Sequence, residues 1–175
     1  MTRYHPLLVT IHWLMGLLII MMLIFGNLVT GPLDNADPEK IEALTGHMAI
    51  GVTIGMLLIF RIIVRVRSQT PAHATTGNPM LDKIGVATHH LMYVVVAGMV
   101  LSGLGMGLGL GLFGVVYGGE GALPVDLSER LPARAHDMIS NILLLLVVLH
   151  VAAAFYHQLI LRDGLFRRMW FGKRQ

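Results

Sequence analysis

No cysteine occurs in the 175 residues. That absence removes disulfides, iron–sulfur clusters, thiolate-bound zinc and thioether-attached haem from consideration. Charge is scarce too. Asp, Glu, Lys and Arg make up 13% of the chain, about half the roughly 25% usual in soluble domains. Disordered chains are charge-rich and poor in apolar residues, whereas 55% of this chain is hydrophobic. Disorder is excluded, and a water-soluble globule is a poor fit. The length suggests one unit, a single membrane domain over residues 1–175.

A bilayer core of about 30 Å needs roughly 20 apolar residues per helix. Four runs qualify, at about 7–29, 46–66, 86–112 and 136–161. Backbone polar groups in lipid must be satisfied internally, so such runs form helices. The first run reads as a span and not as a signal peptide. It is too long, carries His12 and Trp13, and lacks a small-residue cleavage site. The expected fold is all-α, an integral membrane four-helix bundle in the lipid bilayer.

Basic residues give the bundle a direction. With both termini cytoplasmic, the inner segments hold Arg3, Arg61, Arg65, Arg67, Lys83, Arg162, Arg167, Arg168, Lys173 and Arg174, while the outer loops hold only Lys40, Arg130 and Arg134. This asymmetry places both ends inside. The outer segments also carry Asp34, Asp37, Glu39, Glu42, Glu120, Asp126, Glu129 and Asp137, eight acids against three bases, for a net of −5.

The link at 113–135 reads as a loop with a short surface helix. The GLGLGLFG run resembles a nucleotide-binding glycine motif only superficially, lacking a preceding strand and a downstream acid. Close helix packing explains it better. No nucleic-acid partner is expected.

Of nine histidines, seven (His12, His47, His89, His90, His136, His150 and His157) lie in or at the ends of the apolar runs. Ionisable groups inside membranes are expensive and usually mark a functional path. His136 and His150 are 14 residues apart. That is about 21 Å along a helix, with directions differing by only about 40°. His47 and Arg61 repeat the interval, as do His12 and Gly26. Two layers follow: an outer one with His47, His136 and the space at Gly26, and an inner one with His12, His150 and Arg61. By depth alone, His157 suits His12 about as well as His150 does.

Paired imidazoles from facing helices, without Cys or carboxylate, fit a bis-histidine b-type haem best. Gly16 and Gly51, one turn from His12 and His47, let a porphyrin approach the backbone. Arg61 either neutralises a propionate or snorkels to the interface with Arg65. Trp13 and Tyr93 read as core or interface aromatics. A metal-ion transporter, the rival from another class, would want carboxylates among the histidines; here the acids avoid the middle of the spans.

Taken together, IHW at His12, GH at His47 followed by Arg61 and Arg65, HHLMY at 89–93 with SG ten residues beyond, AHD at His136 and LHVAAAFYH at 149–157 resemble the bacterial cytochrome b561 family of inner-membrane multi-pass proteins. The resemblance runs over nearly the whole chain. It implies two haems b, with iron ligands His12 and His150 on the cytoplasmic side and His47 and His136 on the periplasmic side. It places His89 and His157 near the inner haem edge, as propionate partners or quinone-site groups, and leaves open which of His89 and His90 faces inward. It further implies an oxidoreductase passing electrons between a periplasmic donor and ubiquinone or another membrane quinone. One branch of the family is similar to a superoxide oxidase. The competing role is a relay subunit between quinone and a partner redox protein.

Overall fold

The computed structural model describes residues 3–172. Lys173 and Arg174 of the basic tail therefore lie outside the described residues. The described chain is helical, without strands. Helix α1 spans Pro6–Phe25 and continues as a π-helical turn over Gly26–Thr30. Helix α2 spans Pro38–Arg67. Helix α3 spans Pro79–Leu104 and runs on as a π turn over Gly105–Gly109. The short α4 covers Leu112–Gly118. Helix α5, Leu131–Phe155, also ends in a π turn, Tyr156–Leu161, before the single turn α6, Leu165–Arg168. Four of these helical stretches, of 25, 30, 31 and 31 residues, are long and apolar enough to cross a membrane.

Three of the four start earlier than the apolar runs suggest. The added turns are polar, PEKIEALT before His47 and PMLDKIG before Val86, so hydropathy cannot find them. Their start signals are local instead. Every spanning helix has proline in its first turn, where no backbone N–H is needed and φ is already helical. Asp37 and Asn78 cap α2 and α3 by accepting hydrogen bonds from Glu39 N (2.9 Å) and Met80 N (3.0 Å). The third span stops at Gly111, whose φ of +71° breaks the helix and starts α4.

The spans pack in an open chain. Helix α1 packs along α2, α2 along α3, and α3 along α5, but neither α1 nor α2 packs along α5. Leu8, Ile11, Met15, Ile54, Leu58, Val64, Val96 and Leu143 form the shared core. Outward positions are also apolar, with Leu17, Ile59 and Leu145 more than half exposed, which in a bilayer means exposed to lipid.

The 113–135 link is more than a surface loop. Leu112, Leu123 and Leu127 form a second buried cluster against Ile41, Leu44 and Met48 of α2. Tyr117 donates to Thr45 O (2.8 Å) and Asn35 to Pro124 O (3.0 Å), pinning this cap to α2 and to the α1–α2 loop. Beneath that loop, Lys40 in the first turn of α2 is buried, 8% exposed. Its ammonium donates to Thr30 O and to Leu33 O, the latter at 2.9 Å.

Replacing Lys40 with Met keeps the aliphatic stem but leaves these buried carbonyls without a donor. The expected cost is about 1–3 kcal/mol, read as a lower midpoint in a detergent thermal melt.

Candidate functional site

The two layers are present. Facing His47 of α2, the His136 ring of α5 lies with its centre 6.0 Å away at an interplanar angle of 61°. The corresponding figures for His12 of α1 and His150 of α5 are 6.1 Å and 73°. Both pairs bridge helices that do not pack on one another. Two imidazoles bonded to opposite sides of one metal at about 2 Å have ring centres about 6.4 Å apart. Each pair is therefore within about half an ångström of the separation a shared metal requires. Among the described residues, no three His, Asp or Glu side chains converge as a site for a bare ion.

Hydrogen bonds set the orientation of the outer pair. Ser102 of α3 donates its hydroxyl proton to Met99 O at 2.9 Å, so its oxygen is left to accept from Nδ1–H of His136, also at 2.9 Å. That fixes the proton on Nδ1 and leaves the Nε2 lone pair of His136 for a metal. One nitrogen of His47, Nδ1, is buried without a partner among the described residues. Such atoms are rare in folded proteins, and coordination is one way to satisfy an imidazole. Glycines make the surrounding space. A Cβ on Gly26 would come within 3.9 Å of His47, and one on Gly103 within 3.6 Å of His136, while Gly16 and Gly51 border open space. Nitrogen donors in facing pairs, with glycine beside them, fit a bis-histidine porphyrin.

The inner layer holds more than its two histidines. His89 of α3 has its ring centre 5.4 Å from that of His150, so it is the member of the 89–90 doublet turned onto the site. Nδ1 of His89 donates to Gly85 O at 2.7 Å and that of His90 to Val86 O at 2.9 Å. Carbonyls only accept, so both rings keep Nε2 unprotonated when neutral. Arg61 does not snorkel. Its Nε donates to the Tyr93 hydroxyl (3.0 Å) and its Nη1 to Leu8 O (3.2 Å), with the guanidinium 5.8 Å from the Tyr93 ring centre. His157 is placed apart, paired with Asp163. Trp13 donates to Met169 O at 2.7 Å and packs against Phe166 and Trp170, tying α1 to α6.

Sequence reasoning gave no site role to Ser102, Gly103 or Asp163, and took Tyr93 for a core or interface aromatic. A signal existed for one helix. His89 and Gly103 are 14 residues apart, the interval that relates the layers on the other three spans, so α3 carries the same two-level register. No periodicity marks Ser102 or Asp163.

Two facing imidazole pairs inside a four-span membrane bundle define a membrane cytochrome b. The chain matches prokaryotic cytochrome b561 over residues 3–172 and belongs to that family; haem b is its cofactor, its work is electron transfer, and it is a multi-pass protein of the bacterial inner membrane. It is 26% identical over 170 residues to cytochrome b562 of Cereibacter sphaeroides, covering 95% of this chain and 94% of the relative. It is also 26% identical over 178 residues to a probable superoxide oxidase, CybB, of Yersinia pestis, covering 98% of each.

Replacing Ser102 with Ala removes the hydroxyl that orients the His136 ring. Loss of such an outer partner weakens metal binding by about 10–100-fold. Haem titration of the apoprotein should show that weakening in a single class of site.

Proposed function

We propose that this protein is a transmembrane di-haem b cytochrome carrying electrons from a periplasmic donor to ubiquinone or another membrane quinone on the cytoplasmic side, with both termini cytoplasmic. The observation that carries the proposal is the pair of facing histidines at each of two depths, on helices held apart from each other. His47 and His136 hold the outer haem, with Ser102 orienting His136. His12 and His150 hold the inner haem. Arg61 and His89 stand beside the inner pair, where the guanidinium, with N–H donors left over from Tyr93 and Leu8, suits a propionate. When bound, haem supplies the one-electron chemistry; the protein supplies position, electrostatics and exclusion of water.

Superoxide is the favoured donor, in line with the name of the Yersinia pestis relative. An anion is drawn by positive potential, yet the outer segments carry eight acids against three bases, net −5. Lys40 is buried on loop carbonyls, and Arg130 is paired with Asp126 at 2.9 Å. Arg134, exposed and two residues before His136, is the cation left to guide an anion to the outer haem. The acidic outer face supports a second reading, in which a basic redox protein docks there and this chain relays its electrons. Purified protein given superoxide and a short-chain ubiquinone separates the two. Quinol formation without a second protein supports oxidase activity, and a strict need for one supports the relay.

His47→Ala and His136→Ala should each halve the haem content from two per chain, as should His150→Ala through the inner haem, measured by pyridine haemochrome assay. Two haems retained in any of them would remove that residue from the ligand set. Arg61→Ala should keep both haems and shift one midpoint potential in a redox titration. Arg134→Gln should lower the superoxide rate several-fold at low ionic strength and little at high salt, whereas equal loss at both would argue against steering.

A further inference from the structure

Between the start of α1 and the end of α2 lies a groove of about 420 Å³, within the roughly 300–1,000 Å³ usual for ligand clefts. None of the paired histidines lines it. Its walls change character with depth. His5, Arg67 and Ser68 sit at the helix ends. Phe60 and Ile63 lie further into the span on α2, Phe60 seven residues before Arg67, or about 10 Å along the helix. Leu7 supplies the α1 side. Leu7, Phe60 and Ile63 are 39%, 45% and 41% exposed, so the apolar stretch opens onto lipid.

The polar end has a positive charge and no internal anion to meet it. Residues 1–33 and 43–81 contain neither Asp nor Glu. Among the described residues, the exposed Arg67 makes no ion pair or side-chain hydrogen bond, and the Ser68 hydroxyl has no partner. Neighbouring arginines are engaged elsewhere. Arg65 lies over the Tyr4 ring at 5.8 Å, Arg3 donates to Phe171 O at 2.7 Å, and Arg168 donates to Ala72 O at 2.7 Å. Nδ1 of His5 accepts from Leu7 N at 3.3 Å. An accepting Nδ1 carries no proton, so the ring N–H is at Nε2, left to donate to a ligand. The N-terminus of α1 and the C-terminus of α2 meet here with opposed partial charges, and the formal charge is that of Arg67.

We infer that this groove binds an anionic phospholipid, its phosphate held by Arg67, Ser68 and His5 and an acyl chain laid along Phe60, Ile63 and Leu7. Such a lipid carries charge and hydrocarbon in the same order and along the same axis as the groove. A guanidinium offers phosphate paired, charge-assisted hydrogen bonds, and basic pockets between spanning helices are where anionic headgroups dock. A soluble phosphate would meet the same donors but gain nothing from the apolar walls. A neutral ligand would leave the arginine's charge unused. The bound lipid bridges α1 to α2 and stabilises the bundle by mass action. Neither haem nor electron donor enters this site, so it is independent of the proposed electron path.

The test is native mass spectrometry of the delipidated holoprotein in detergent, titrated with dioleoyl phosphatidylglycerol. One lipid should bind ahead of the rest and more tightly than dioleoyl phosphatidylcholine. Arg67→Gln should weaken that first binding by about tenfold, the worth of one hydrogen bond to a charged group, and Arg67→Lys by less. Ile63→Trp fills the groove and keeps every charge, so it should weaken binding as much as Arg67→Gln does. Arg167→Gln removes an exposed arginine of α6 outside the groove, and at about 0.15 M salt it should change the affinity by less than about twofold. Haem content should stay native in all four variants. In vesicles, phosphatidylglycerol with a diazirine on its acyl chain should label residues 60–69 above the other spans, a measurement that needs no variant. Equal weakening by Arg67→Gln and Arg167→Gln would mean diffuse attraction to a basic surface, and unchanged binding in Ile63→Trp would place the lipid elsewhere. Displacement of the lipid by glycerol 1-phosphate would make the groove a plain anion site, and displacement by ubiquinone-1 a quinone site. Any of these results overturns the inference.

Discussion

An imidazole in hydrocarbon is tolerated only when its nitrogens are engaged, and the whole bundle is arranged around that constraint. Each span presents one level to the outer pair and another to the inner pair, with 14 residues between them. Fourteen residues is nearly four full turns, so both levels face the same interior. The register gives His12 and Gly26 on α1, His47 and Arg61 on α2, His89 and Gly103 on α3, and His136 and His150 on α5. At the outer level glycines stand opposite the histidines. At the inner level the fourth position is an arginine, tied into α1 and Tyr93 rather than to solvent. The same spacing thus makes two different environments, a glycine-lined outer level and a polar inner one.

The ends of the spans are shaped by backbone chemistry rather than hydropathy. Proline starts all four, and π turns finish three of them. A π turn widens the helix and changes which residue comes next on each face. It lets α1 reach the loop that Lys40 clamps, lets α3 stop at Gly111, and lets α5 turn toward Asp163. The outer loops consequently form a packed lid, with Leu112, Leu123 and Leu127 over α2.

Much of this was legible in the residues. Apolar run length gave four spans, and equal intervals between histidines gave the two layers, because both depend on the fixed rise and turn of a helix. Run length failed at the beginnings of α2, α3 and α5, where capping and proline govern polar first turns. The pairing of Ser102 with His136 was hidden because it joins different helices, and serine is common in spans for many reasons. The two readings of Arg61 were equal in sequence; the carbonyl of Leu8 and the hydroxyl of Tyr93, both on other helices, decide between them. His157 looked interchangeable with His150 by depth, and the turn that supplies Asp163 separates their surroundings.

The open chain of helices has a consequence for assembly. Three protein–protein seams join α1 to α2, α2 to α3 and α3 to α5, and the circuit is left for histidines to close. A flat cofactor bridging α5 to α1 and α2 would serve as the missing seam. Binding energy then becomes folding energy, as for any ligand taken up only by the native state, where a thousandfold excess over Kd adds about 4.1 kcal/mol. The bundle would then work as a clasp that porphyrin locks, and an inserted chain would be held shut only as far as porphyrin is supplied.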